Sequence, residues 1–106
     1  MKTKADDLIN GLPGEALVRR GLDDYASDLH TPAACLVRIA HPRLFRCGLL
    51  PPPAEAVDEA ELELYRLLRQ EGGDAYARYN ALLGELVSFE MALDRRLRAT
   101  TAPVVT

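Results

Sequence analysis

The sequence carries almost no strand signal. No segment alternates apolar and polar residues for long, and β-branched residues are scarce, which leaves helix as the only recurrent pattern. No run approaches the ~20 apolar residues of a membrane span, and the polar start from Met1 to Asp7 leads into no apolar stretch of signal-peptide length. Cysteine is rare: Cys35 and Cys47 lie in apolar helical surroundings without C-x-x-C spacing, as expected of two buried thiols in a reduced, cytoplasmic protein. Enzyme signatures are missing. There is no glycine-rich phosphate loop, nucleophile elbow, H-E-x-x-H or dinucleotide fingerprint, so no cofactor is expected. His30, Cys35, His41 and Cys47 are the only soft metal-ligand candidates, and none forms the closely spaced pair of a zinc site, so no metal is expected either.

Acidic residues are absent from Leu29 to Ala54, while Arg38, Arg43 and Arg46 fall in that window with His30 and His41. Both flanks are acidic: Asp23, Asp24 and Asp28 before it, Glu55, Asp58, Glu59, Glu61 and Glu63 after it. With a net charge of −3 there is no global pull toward nucleic acid or an anionic membrane. The expectation is that these opposite charges meet across helices. A nucleic-acid surface on Arg38, Arg43 and Arg46 is the competing reading, since residues 31–50 have the outline of helix, break, helix.

What is present is helical. The 106 residues suffice for one domain with its own core. A weak first turn or two at 4–11 carries Leu8 and Ile9 and closes at Gly11. A helix at about 14–29 repeats Val18, Leu22, Tyr25 and Leu29 on one stripe. Thr31 and Pro32 form a helix start, with Thr31 as cap and Pro32 at the position where a missing N–H costs nothing. Cys35, Leu36, Ile39 and Ala40 give that helix an inward face, and Pro42 stops or kinks it at His41. A short helix, 42–47, turns Leu44 and Phe45 inward and ends at Gly48. Pro51, Pro52 and Pro53 make a stiff connector. Asp58 and Glu61 form a capping-box variant for a helix to about Gln70, with Leu62, Tyr65 and Leu68 on one stripe and Leu64 and Leu67 beside it. Glu71-Gly72-Gly73 ends it, and Asp74 caps a last helix to Arg98.

The expected fold is all-α, about five helices, a compact bundle built on an antiparallel hairpin of 58–71 and 74–98. Residues 1–98 form one helical domain: a cluster at 4–48, a connector at 49–57 and the hairpin at 58–98, followed by a flexible tail at 99–106. The core is expected to include Val18, Leu22, Leu36, Ile39, Phe45, Leu62, Leu68, Leu82, Leu86, Phe89 and Leu93.

The last helix is the most informative segment. Phe89, Leu82, Leu93, Leu86, Tyr79, Leu97, Leu83, Tyr76 and Val87 fill a broad arc, and Ala77, Ala81, Gly84, Ser88 and Ala92 line the opposite side. A helix apolar nearly all round needs burial on more than one side. Gly84 costs ~1 kcal/mol relative to alanine in a helix interior, so the small-residue groove calls for a closely approaching helix. Either the helix at 14–29 or a second subunit would serve. Glu90 falls inside the apolar arc, where a carboxylate needs a partner such as Arg19, Arg20, Arg38 or the hydroxyl of Tyr25 or Tyr65, or else takes up a proton. That makes Glu90 the one candidate for a ligand-binding or catalytic role. The leading functional expectation is a small protein-interaction or adaptor protein, homodimeric through 74–98.

Overall fold

A computed structural model of the protein describes residues 4–50 and 57–101. Among these, all regular structure is helical: α1 (Lys4–Ile9), α2 (Glu15–Ala26), α3 (Pro32–Ile39), α4 (His41–Arg46), α5 (Val57–Glu71) and α6 (Ala75–Thr101). The all-α class holds, and the weak N-terminal turns form a sixth helix.

Helix ends follow local chemistry. Thr31 caps α3 by accepting from the Ala34 amide at 3.1 Å, and its hydroxyl donates to Asp24 Oδ2 at 2.7 Å, tying the start of α3 to the end of α2. Asp74 caps α6, accepting from the Ala77 amide at 3.0 Å. Glycines in the left-handed region follow α1, α4 and α5 at Gly11, Gly48 and Gly72. Asp28 takes that conformation after α2, with φ of 59°. Pro42 lies in the first turn of α4, and the break before it falls at Ala40. The connector at 51–56 and the side chain of Asp58 lie outside the described residues, as do 102–106. The last helix runs on to Thr101, past the expected stop at Arg98.

Packing centres on α3. Ala33 to Val37 are buried in succession, because α2 covers one side of this short helix and α5 another, with α4 and α6 completing its surroundings. Near Gly21 of α2, an added Cβ would stand 2.3 Å from the Ala33 carbonyl oxygen and 2.5 Å from Val37 Cγ2, so only glycine lets the two backbones approach this closely. The C-terminal pair also pack on each other, but the more extensive contacts of α5 are with α3. The small helix α1 rests against α6, where Arg96 donates to the Leu8 and Asn10 carbonyls at 2.9 and 2.5 Å.

Of the expected core, Val18, Leu36, Leu68, Leu86, Phe89 and Leu93 are buried, and Leu22, Ile39 and Leu82 are half-buried. Phe45 and Leu62 are exposed, and so is Leu29 at the end of the α2 stripe. In α5 the buried row is Ala60, Leu64 and Leu68, one turn apart; Leu62 lies on the opposite side of the wheel. In α4 the core position is Leu44, which turns its neighbour Phe45 outward. Ile9, Leu12 and Val37 also belong to the core.

Candidate functional site

At 100° per residue, the inner side of α6 is centred on Ala75, Leu86, Phe89 and Leu93, all buried. Leu82 is half-buried among them, and Tyr79, Leu83, Ala92 and Leu97 are half-buried toward the borders. The other half of the helix is open. Ala77, Ala81, Gly84 and Ser88 are exposed, and a Cβ added at Gly84 would meet no atom within 4 Å. Beside this row stand Tyr76, Val87 and Met91, which are 67, 51 and 58% exposed. Between Tyr76 and Met91 this outward arc contains Asn80 and no charged side chain; Arg78 and Glu85 lie at its border. Neither α2 nor any other described helix occupies the groove. Helix α2 uses its own small residue, Gly21, against α3 instead.

The basic window is drawn into ion pairs. Arg38, at the last turn of α3, is hydrogen-bonded to Glu63 of α5, with the two side chains only 12 and 22% exposed. His30 Nδ1 lies 3.4 Å from the same carboxylate, and the Cys35 thiol donates to it at 3.6 Å. The Arg38 hydrogen bond holds the Glu63 carboxyl below the ordinary carboxylate range, with His30 adding to the effect. Arg43 of α4 reaches α6, with Nη1 2.6 Å from Asp94 Oδ2 and Nε 3.4 Å from Glu90 Oε2. Arg46 is exposed. Two of the three arginines thus spend charge on carboxylates of α5 and α6, which leaves less for a phosphate backbone.

Glu90 is half-buried, and its ion-pair partner is Arg43, which was not among the residues expected to reach it. Burial pushes its carboxyl up, Arg43 pulls it down, and Asp94 pushes it up again. The arrangement is an ion-pair cluster linking α4 to α6. Burial also raises the Cys47 thiol, which lowers its reactivity. His41 is buried edge-on to Tyr25, ring centroids 5.6 Å apart. Among the described residues no three His, Cys, Asp or Glu side chains come together as metal ligands, and no helix is long and apolar enough to cross a membrane.

One further surface was not singled out by periodicity. Glu61, Leu62 and Tyr65 of α5 and Tyr76 and Tyr79 of α6 line an open cleft of about 530 Å³. Its signal was the placing of Tyr65 and Tyr79 seven residues to either side of Gly72, which a helix–turn–helix brings level. The chain matches no protein-family model, no curated protein and no solved structure.

Proposed function

We propose that this chain is a small interaction protein of adaptor type that works as a homodimer through the outer face of α6. The observation that carries this reading is the uncharged outward arc from Tyr76 to Met91, where small residues flank exposed Val87 and Met91 and nothing lies over Gly84. A soluble helix seldom leaves such a row uncharged when it faces only water. Without side chains at its centre, the row allows helix axes to come within the short end of the usual 8–10 Å separation.

Charge distribution favours an antiparallel pair. With two copies of α6 crossing antiparallel at Gly84, Arg95 of one copy comes within one residue of level with Asp74 of the other. A parallel pair would set the arginines beside each other. The twofold arrangement is closed, so it yields a dimer and not a filament. One crossed pair of helices is a small interface, so the expected dissociation constant is of micromolar order. The scarcity of cysteine, with Cys35 and Cys47 as the two in the sequence, suits the reducing cytoplasm in which we place the dimer.

The test is molar mass by light scattering over a dilution series, at low and moderate salt. Mass should rise from monomer to dimer with concentration, and Ser88→Arg should hold the chain as a monomer with its helical circular dichroism unchanged, because Ser88 is exposed. A monomer at every concentration overturns the proposal.

A further inference from the structure

The cleft between α5 and α6 has a different character from the uncharged row at Gly84, which it adjoins at Tyr76. Its walls are aromatic. Tyr65 and Tyr79 stand with ring centroids 5.7 Å apart and planes at 85°, so they form two sides of a box at right angles. Tyr76, which is 67% exposed, and Leu62, also 67% exposed, extend the walls outward. The remaining lining residue, Glu61, supplies the cleft's single charge, and no lining side chain is cationic. The negative charge is felt inside the cleft: after burial, Glu61 is the second cause that keeps the Tyr79 hydroxyl protonated above its usual range.

Aromatic faces carry partial negative charge, and rings meeting at right angles beside a carboxylate attract a diffuse, weakly hydrated cation. An anion is disfavoured by Glu61 and by the ring faces, and an uncharged polar ligand gains no cation–π attraction from this lining. We propose that the cleft of Glu61, Leu62, Tyr65, Tyr76 and Tyr79 binds a small organic cation of the quaternary-ammonium class. The volume of about 530 Å³ falls in the range of small-molecule sites and leaves room for a substituent beyond the ammonium head. Glu61 further selects for net positive charge. A zwitterion that carries a phosphate or carboxylate close to its ammonium group would bring like charge toward Glu61, so a free cation is the occupant and a phosphocholine headgroup is not.

The proposal does not depend on dimerisation. A copy that stays monomeric keeps all five lining residues, since they come from one chain. Millimolar affinity is expected, because the cleft is open and such contacts are weak when solvated.

The experiment is a titration of the full chain with choline, followed by the ring-proton NMR signals of its tyrosines. Saturable shifts are expected for Tyr65, Tyr76 and Tyr79 and not for Tyr25, which packs on His41 away from the cleft. The uncharged isostere 3,3-dimethylbutanol should bind about fivefold more weakly, the loss of one exposed cation–π contribution. Phosphocholine should also bind more weakly than choline. Tyr76→Ala and Glu61→Gln should each weaken choline binding several-fold while the fold is retained, as neither side chain is part of the buried core. Absence of saturable shifts at tens of millimolar choline overturns the proposal. Equal affinity for the isostere would reduce the cleft to a hydrophobic surface and overturn the cation assignment. Phosphocholine binding as well as choline overturns the selection for net positive charge.

Discussion

Gly21 and Gly84 both lie within helices, and their surroundings are opposite. At Gly21 the backbone of α3 presses so close that a methyl group would collide with the Ala33 carbonyl. At Gly84 the same methyl group would enter open space. Each glycine weakens its helix by roughly 1 kcal/mol relative to alanine. Among the described residues, only at Gly21 does a close packing contact offset that cost. The seam between α2 and α3 is therefore a completed close approach of two helices, whereas the outer face of α6 is open. The same contrast separates the two helices themselves. Short α3 is buried on several sides, whereas long α6 is buried on one, although its sequence has apolar or small residues nearly all round.

The contrast between the two sides of α6 can be tested at adjacent residues. Leu86 is 3% exposed and Val87 is 51% exposed. Leu86→Ala should cost ~2–5 kcal/mol in urea denaturation, whereas Val87→Ala should cost under about 0.5 kcal/mol in the monomer. Similar losses at both positions would mean that the outer face is covered within the chain. The α2–α3 seam is tested by Gly21→Ala. The gain in helix propensity should be overwhelmed by the collision with backbone, with a net loss of about 3 kcal/mol and a lowered melting temperature. A neutral result would show that α2 can slide off α3 without penalty.

Much of this architecture is readable in the sequence because it rests on local chemistry. Thr31 with Pro32, Pro42, Gly48 and Asp74 each act on the backbone next to them, and each marks an element boundary where expected. Which face turns inward is less local. Periodicity offers two rows in α5, through Leu62 or through Leu64, and the alanine at position 60 that decides between them gives little hydrophobic signal. Likewise, nothing near Gly21 or Gly84 says which groove α2 will fill, because that depends on contacts between distant segments. The tyrosine cleft is legible only after the turn at Gly72 is placed and the α5 and α6 wheels are read together. Glu90 stands out by type alone, but its ion-pair partner Arg43 comes from α4, far away in sequence.

Two of the half-buried carboxylates that reach arginines, Glu63 and Glu90, sharpen the comparison through pH. Glu63 faces Arg38 at the α3 seam, and its carboxyl is depressed, so it adds stability that is fully present above the unfolded carboxylate range. That stability is lost as pH falls through the lowered folded value. Glu63→Gln should cost about 2 kcal/mol at neutral pH, since Arg38 is left largely buried with a weaker partner, and the difference from wild type should vanish in acid. Glu90, whose carboxyl is raised chiefly by burial, has the opposite sign. The native state holds its proton more tightly than the unfolded chain, so stability falls as pH rises from the unfolded pKa through the raised folded one. Glu90→Gln should then be neutral or slightly stabilising at neutral pH. Denaturation of both variants at about pH 3 and pH 7 decides it; parallel behaviour of the two would break the distinction.

The smallest effect bears most directly on the open face. Gly84→Ala adds a methyl group that touches nothing in the monomer and relieves the conformational freedom of glycine. In dilute solution it should raise stability by up to ~1 kcal/mol, a rise of about 4–8 °C in melting temperature for a chain of this size. In a dimer crossing at Gly84 the same methyl group lies between two backbones, so dissociation should become several-fold easier while the monomer becomes more stable. No other origin of the groove predicts that pairing of signs. Glycine retained only as a tolerated defect would give added stability with unchanged association, and a close intrachain neighbour would give lower stability. Melting at low concentration and light scattering at high concentration, on one variant, separate these cases.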